Sequence, residues 1–478
     1  MTASTPSHSN GALAQNAFAF LWALAALFSL LSRWDWLWKL TYRFPSLIGI
    51  AGAVVTGCAL AVILQPGCKK RFAWLSFAIL AFVAIELPEV PNHRLILAFV
   101  SLAYLLAVAA NRKQENPDDS TWSAFFSAAR WTAILVYAFA FFSKLNADFL
   151  DPSDSCAVTF YGNIRETLGG WAPTCTTTHT TIIWATLIIE GGLVALLLWP
   201  RTRVFAVLLG IIFHAMLALD SEKLFLNFSA VMSALLILFL PGAYFQRWLS
   251  GEKRLFGRFT LTCDSLSKTA VIITILLMAW SILVGQFGEF YPAYKVALMI
   301  AWGVVAAVLI YSITVFGVFK QAEKTIGQLR LSMWPAVVVL LVILNGLTPW
   351  LGLKTRTAFN MYSNLRVEAG YSNHFLLPNG GLDLMGHLGD TVTILASSDK
   401  QLREAHVETG LKATCFSLGQ AAAARGPLIE IVYERNGQRF QYFPGRSDPE
   451  PLKIPPWILR KTLLYRPIGD GVEKQCIW

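Results

Sequence analysis

Seven ionisable side chains lie in or at the edges of apolar runs of this 478-residue chain: Glu86, His93, Arg130, Lys144, Glu190, His214 and Asp220. A charge in hydrocarbon is costly, so such residues are kept where they pair, relay protons or bind. Lys144 closes an apolar run within Phe141-Phe142-Ser143-Lys144-Leu145-Asn146-Ala147-Asp148-Phe149. Its amine either snorkels to the headgroups or turns inward, where lost hydration favours the neutral form, a base. Glu190 needs a partner or a proton, and Gly191-Gly192 beside it allows a helix or a flat ligand to come close. His214, in Ile211-Ile212-Phe213-His214-Ala215-Met216, is either a satisfied core histidine or a ligand. No HxxxH or HxxE accompanies it, so a metal is not expected. His93 follows Pro91-Asn92 at the start of a run, and Arg130 either anchors its run at the interface or meets a buried acid. Glu86 and Asp220 read as acids at run ends facing water. With no Walker loop, GxGxxG or GxSxG, nucleotide hydrolysis and serine-hydrolase chemistry are not expected.

These residues must be held by a membrane bundle. The chain is 55% hydrophobic and 14% charged, with mean hydropathy +0.53; soluble domains carry about 25% charged residues. A water-soluble single domain and a disordered chain are both excluded by this balance. Apolar runs long enough to cross a bilayer predict about eleven spans, within a range of nine to twelve. They lie near 12–32, 46–64, 71–87, 95–110, 124–146, 180–199, 203–219, 224–242, 267–287, 296–318 and 332–350. The expected fold is an all-α polytopic membrane bundle with a small extracytoplasmic β-rich C-terminal domain. Its divisions are a disordered cytoplasmic N-terminus (1–10), a first transmembrane domain (11–245), additional transmembrane helices (246–350) and the β-rich domain (351–478). Arg33, Trp34, Trp36 and Trp38 after the first run form an interfacial belt rather than a cleavage site.

Basic residues set the orientation. Even-numbered loops hold 15 Lys and Arg against 8 in the odd-numbered ones. This puts the N-terminus in the cytoplasm and the tail outside. The net charge of +10 then reflects cytoplasmic loops facing anionic lipid rather than nucleic acid, for which no motif or basic stripe is present. Under this topology Cys156, Cys175, Cys415 and Cys476 lie outside, where disulfides can form. Cys156–Cys175 and Cys415–Cys476 are the candidate pairs, although spacing alone leaves the pairing open.

In the tail, Thr391–Leu395 and Leu428–Tyr433 read as strands and Cys415–Ala424 as a short helix. Asn436-Gly437 between Ile431-Val432-Tyr433 and Phe440-Gln441-Tyr442-Phe443 is a hairpin signal. Residues 345–374, with Met361-Tyr362-Ser363-Asn364-Leu365-Arg366 and Ser372-Asn373-His374, either line a site or form a structured linker that docks the β-rich domain. The linker is the favoured reading.

Four stretches together resemble the membrane part of the vitamin K-dependent γ-glutamyl carboxylase family, whose superfamily includes bacterial "horizontally transferred transmembrane" (HTTM) proteins. They are Asn92-His93; Arg130 through Val136-Tyr137 to Lys144-Leu145-Asn146-Ala147-Asp148-Phe149; Glu190; and Phe213-His214. The resemblance covers about residues 15–245. Asn146 and Phe149 stand where the family pattern has Asp and Trp, and the region after the membrane part is much shorter than in animal carboxylases. The resemblance implies that Lys144 is the base acting on a reduced vitamin K-type naphthoquinone, with Asn92 and His93 supporting the reaction. Oxygen would convert the quinol to an epoxide, and the alkoxide formed would deprotonate an acceptor that takes up carbon dioxide. Glu190, His214 and Arg130 would hold the polar network around this cofactor-binding region. Expected partners are membrane lipid, the quinol and an extracytoplasmic protein or small-molecule acceptor. The rival readings are a non-catalytic quinone- or lipid-binding scaffold and a transporter.

Overall fold

The computed structural model describes residues 10–32, 46–114, 117–249, 263–287, 291–317, 329–368, 370–425, 429–444, 452–469 and 476. The N-terminal residues 1–9, the Arg33-to-Trp38 belt and the loop cations Lys253, Arg254, Arg258, Lys320 and Lys324 lie outside these.

Among the described residues the first part of the chain is helical: α1 (Asn10–Leu31), α2 (Leu47–Leu64), α3 (Lys69–Glu86), α4 (Asn92–Asn111), α5 (Pro117–Ser143), α6 (Cys156–Thr167), α7 (Thr176–Leu198), α8 (Arg203–Leu217), α9 (Leu226–Leu236), α10 (Gly242–Leu249), α11 (Cys263–Phe287), α12 (Tyr291–Phe316) and α13 (Met333–Leu347). This is a helical membrane protein, but the expectation of about eleven spans is not met. Among the described residues seven helices (α1, α2, α4, α5, α7, α11 and α12) are long and apolar enough to cross a membrane, and α9–α10 makes an eighth if the bent pair is one span. Helices do form at all eleven predicted places, and the shortfall has physical causes. α8 and α13 have 15 residues each, about 22 Å at 1.5 Å per residue, less than the ~30 Å hydrocarbon core. α3 carries Lys69, Lys70, Arg71 and Glu86 within its 18 residues. The 226–248 segment bends by 109°.

That bend explains Arg130. A helix end leaves carbonyls without partners, and in an apolar interior they must be satisfied by other protein groups. Arg130, 1% exposed, donates from Nε and Nη2 to the Leu238 carbonyl at 2.8 and 2.7 Å. A single apolar core runs from Phe18 and Trp22 of α1 through Trp302 of α12 to Val338 of α13. The helices after residue 245 are therefore part of the same packed body as those before it.

Beyond α13 the strand and helix expectations hold. Strands β1 (Thr391–Ser397), β2 (Ala413–Thr414), β3 (Ile431–Arg435) and β4 (Gln438–Tyr442) form an antiparallel sheet in the order β2-β1-β3-β4. Helix α14 (Cys415–Arg425) packs Leu418 and Ala422 on the sheet's buried face. Asn436 and Gly437 form the β3–β4 turn with φ of 51° and 76°, the left-handed pair that a two-residue hairpin requires. The described residues of 348–390 are irregular rather than β-rich. They dock on the ends of α4 and α5 and bring Met361 and Tyr362 to a cavity wall, so the favoured linker reading gives way to its alternative, that this stretch lines a site. Asn373 Nδ2 donates to Asn146 Oδ1 (3.2 Å), Asp148 Oδ2 (2.9 Å) and the Asn364 carbonyl (2.7 Å). His374 Nε2 lies 2.9 Å from the Phe142 carbonyl.

The disulfide expectation needs correction. Cys156 bonds Cys476, 320 residues away, while Cys175 and Cys415 remain thiols. Asn364 directs this: its Oδ1 accepts the Cys156 amide and its Nδ2 donates to the Asp154 carbonyl, which fixes the start of α6 against the tail.

Candidate functional site

Tyr137 and Ala140 of α5 and Lys144 in the turn directly after it recur at three- and four-residue spacing, and so share one face. Opposite stands Glu190 of α7. A Cβ at Gly191 would lie 2.9 Å from the Phe141 ring, so only glycine lets α7 approach α5 this closely. The approach joins Lys144 to Glu190. Lys144 Nζ stands 2.8 Å from Oε2 and 3.0 Å from Oε1, with 6% and 8% of the two residues exposed. The amine also contacts the Ala140 carbonyl at 3.4 Å and lies 5.8 Å from the centre of the Phe149 ring. Lys144 therefore does not snorkel; it points into the bundle and is paired there.

Two turns below, the Tyr137 hydroxyl meets His214 Nε2 at 2.7 Å. His214 is 1% exposed, and its carbonyl accepts from Ser229 Oγ. Asn92 opens α4 and its Oδ1 accepts the Phe359 amide at 3.2 Å. His93 is buried beside it.

These groups face one cavity of about 560 Å³, lined by Asn92, His93, Tyr137, Lys144, Glu190 and His214. Apolar and aromatic side chains make most of the remaining wall, among them Phe149, Phe160, Ile164, Ile182, Ile189 and Phe228. Its size lies within the ~300–1,000 Å³ usual for small-molecule sites, and few polar groups in an apolar wall is their usual composition. Five of the six residues that the resemblance assigns to a site thus come together. Arg130 does not line the cavity; it serves the bend at Leu238.

Tyr137 and Tyr362 complete the wall. Tyr137 appeared in sequence only as part of the Val136-Tyr137 stretch, since a tyrosine in an apolar run looks like a core residue. Tyr362 comes from the irregular segment, where Thr357, Phe359, Tyr362 and Asn364 all have positive φ, between 50° and 60°. Such backbone is disfavoured for bulky and β-branched residues. The Asn92–Phe359 and Asn364–Cys156 hydrogen bonds hold it, and it presents Tyr362 to Phe160 at 4.5 Å between ring centres.

Asn146, standing where the resemblance has an acid, is fully satisfied. Its Oδ1 caps the turn at Phe149 (2.8 Å), and its Nδ2 donates to the Ser143 and Ser363 carbonyls. Asp148 is buried beside Arg366 at 3.6 Å. The two acids read as water-facing are not: Glu86 is ion-paired with Arg94 in a buried setting, and Asp220 is fully buried, accepting from Asn163 and from the Glu222 and Lys223 amides. Both lie where a chain turn curls back, which screens an acid that position alone would leave in water.

A second, smaller cavity of about 150 Å³ abuts the first. Glu89, Arg356, Asn360 and Arg466 line it, and it shares Pro91, Asn92 and Met361 with the larger one. Arg466 is bound to Glu368 there, so its charge is already met.

No family model matches this chain, and neither characterised proteins nor solved structures give a match.

Proposed function

We propose that this protein is a membrane enzyme that acts on a lipid-soluble quinol with oxygen, in the manner of the vitamin K-dependent carboxylases it resembles. The observation that carries the reading is the buried Lys144–Glu190 pair at the wall of an apolar cavity. A reduced naphthoquinone suits such a cavity: its rings fill apolar space while a hydroxyl reaches the polar end. The pair then accepts the hydroxyl proton. In the resting ion pair the amine is already protonated, so its proton passes to the Glu190 carboxylate before Lys144 accepts the quinol's, and the ammonium formed then faces the quinolate oxygen. Asn92 and His93 donate hydrogen bonds to the oxygen that gains negative charge. In balance, quinol and dioxygen give the quinone epoxide and water. The basic oxygen species formed on the way removes a proton from an acceptor carbon, and carbon dioxide is taken up there. The smaller polar cavity behind Asn92 supplies an approach for the acceptor.

The membrane orientation belongs to the same reading. The loop charges put the N-terminus in the cytoplasm, and a disulfide at Cys156 suits an oxidising outer compartment. The cavity then opens on the outer side.

The test is to supply the protein, reconstituted in lipid, with a reduced naphthoquinone and oxygen and to measure epoxide by mass spectrometry. Epoxide from the parent and none from Lys144→Ala is the expected result. If the parent binds quinone but neither protein makes epoxide across several quinols, the cavity belongs to a binding scaffold and the enzyme reading fails.

A further inference from the structure

Helix α13 presents two faces. Val338, Val342, Asn345 and Gly346 pack inward against the bundle; a Cβ at Gly346 would lie 2.3 Å from the Phe139 ring. Met333, Val337, Leu340, Leu344 and Leu347 recur at alternating four- and three-residue spacing on the outer face. They are 37–72% exposed, a stripe suited to lipid. The helix has only 15 residues, about 22 Å, and falls some 8 Å short of a ~30 Å hydrocarbon core.

The stripe does not stop where the helix does. Leu382 N donates to the Trp350 carbonyl at 2.7 Å, and Leu384 N to the Leu351 carbonyl at 3.1 Å. Two glycines lock this contact: a Cβ at Gly381 would lie 2.6 Å from the Trp350 carbonyl oxygen, and one at Gly352 would lie 2.3 Å from Asp383 Cα. The segment's other arm is pinned to the end of α5, where Phe375 N donates to the Leu145 carbonyl at 3.1 Å. From this fixed backbone Phe375, Leu376, Leu382, Leu384 and Met385 point outward, 41–72% exposed. Asp383 turns its carboxylate back onto the Leu388 and Gly389 amides, so it presents little charge to the surroundings. Five exposed apolar side chains on a rigid loop at the exits of two membrane helices are costly in water.

We propose that Phe375–Met385 is a lipid-inserted apron: these five side chains lie in the interfacial layer of the leaflet where α13 ends and supply the hydrophobic length that this short helix lacks. The segment after α13 is then seated in the bilayer rather than tethered above it. The proposal is independent of the quinol chemistry and of which side of the membrane this leaflet faces.

The native full-length protein in nanodiscs containing a photoactivatable diazirine phospholipid tests it without substitution. Peptide mapping by mass spectrometry is expected to find lipid adducts on 375–385 at a level comparable with the outer face of α13, and background labelling on the β3–β4 hairpin. Labelling of 375–385 at the hairpin level overturns the proposal. Protection of the loop together with a dimeric particle assigns the surface to a second copy and overturns it as well.

Discussion

Removing either partner of the Lys144–Glu190 pair should cost far more than removing both. At 2.8 Å and an effective dielectric of about 20, the attraction is about 6 kcal/mol, much of it offset by the desolvation of two buried charges. Glu190→Leu leaves an ammonium, and Lys144→Met a carboxylate, each buried without its partner. Each single change is expected to lose about 3–5 kcal/mol of stability. The double change Lys144→Met with Glu190→Leu replaces both charges by apolar groups of similar length and should return close to the parent or above it. Reversible unfolding in mixed micelles, read as a double-mutant cycle, measures this directly, with an expected coupling of about 3 kcal/mol or more. Quinol turnover should be lost in all three variants. A double variant whose loss equals the sum of the singles to within about 0.5 kcal/mol would refute the argument. Retained turnover in the stable double variant would remove the pair from the chemistry.

Tyr137→Phe deletes the hydroxyl at 2.7 Å from His214 Nε2 and leaves a buried imidazole nitrogen short of its bond; a loss of about 1–3 kcal/mol in the same unfolding assay is expected, with the cavity still able to take up quinone. Gly346→Ala forces a methyl onto the Phe139 ring and should destabilise by about 1–3 kcal/mol, whereas Gly303→Ala on α12, where a Cβ meets nothing within 4 Å, should not. Lys354, just beyond α13, has its amine pushed down to about 8 by burial. The folded state therefore favours the neutral form, so stability should rise between pH 8 and 10.5 as the cost of charging it disappears, and Lys354→Met should flatten that part of the pH–stability curve.

Much of the site was legible because membrane chemistry makes it so. Lys144, Glu190, His93 and His214 stand out as ionisable groups in apolar surroundings, and few other places are tolerable for them than a shared polar pocket. The Asn436-Gly437 turn was equally plain, since its backbone angles are ones that few residues adopt. What stayed hidden depended on distant partners. Arg130 serves a carbonyl 108 residues later in the chain, and nothing near it announces a bent helix. Tyr362 reaches the cavity only because a left-handed stretch is held in place by Asn92 and Asn364. Glu86 read as water-facing because its partner Arg94 lies past a turn. The span count failed where apolarity alone misleads: α8 and α13 are too short to cross a bilayer unaided, α3 carries four charges, and the 226–248 run is bent.

The Cys156–Cys476 bond also has a consequence in time. The 320 residues between its partners take about 15–60 s to synthesise at roughly 5–20 residues per second. Throughout that interval Cys476 does not exist, while Cys175 follows Cys156 within seconds. Cys175 is exposed, and the Thr178 hydroxyl beside it holds its thiol below the usual range, which favours the reactive thiolate. In an oxidising compartment the nearby pair is expected to form first and the native bond to replace it by thiol–disulfide exchange. Expression without a disulfide isomerase is expected to accumulate a Cys156–Cys175 form, visible by non-reducing peptide mapping, and Cys175→Ser should relieve it.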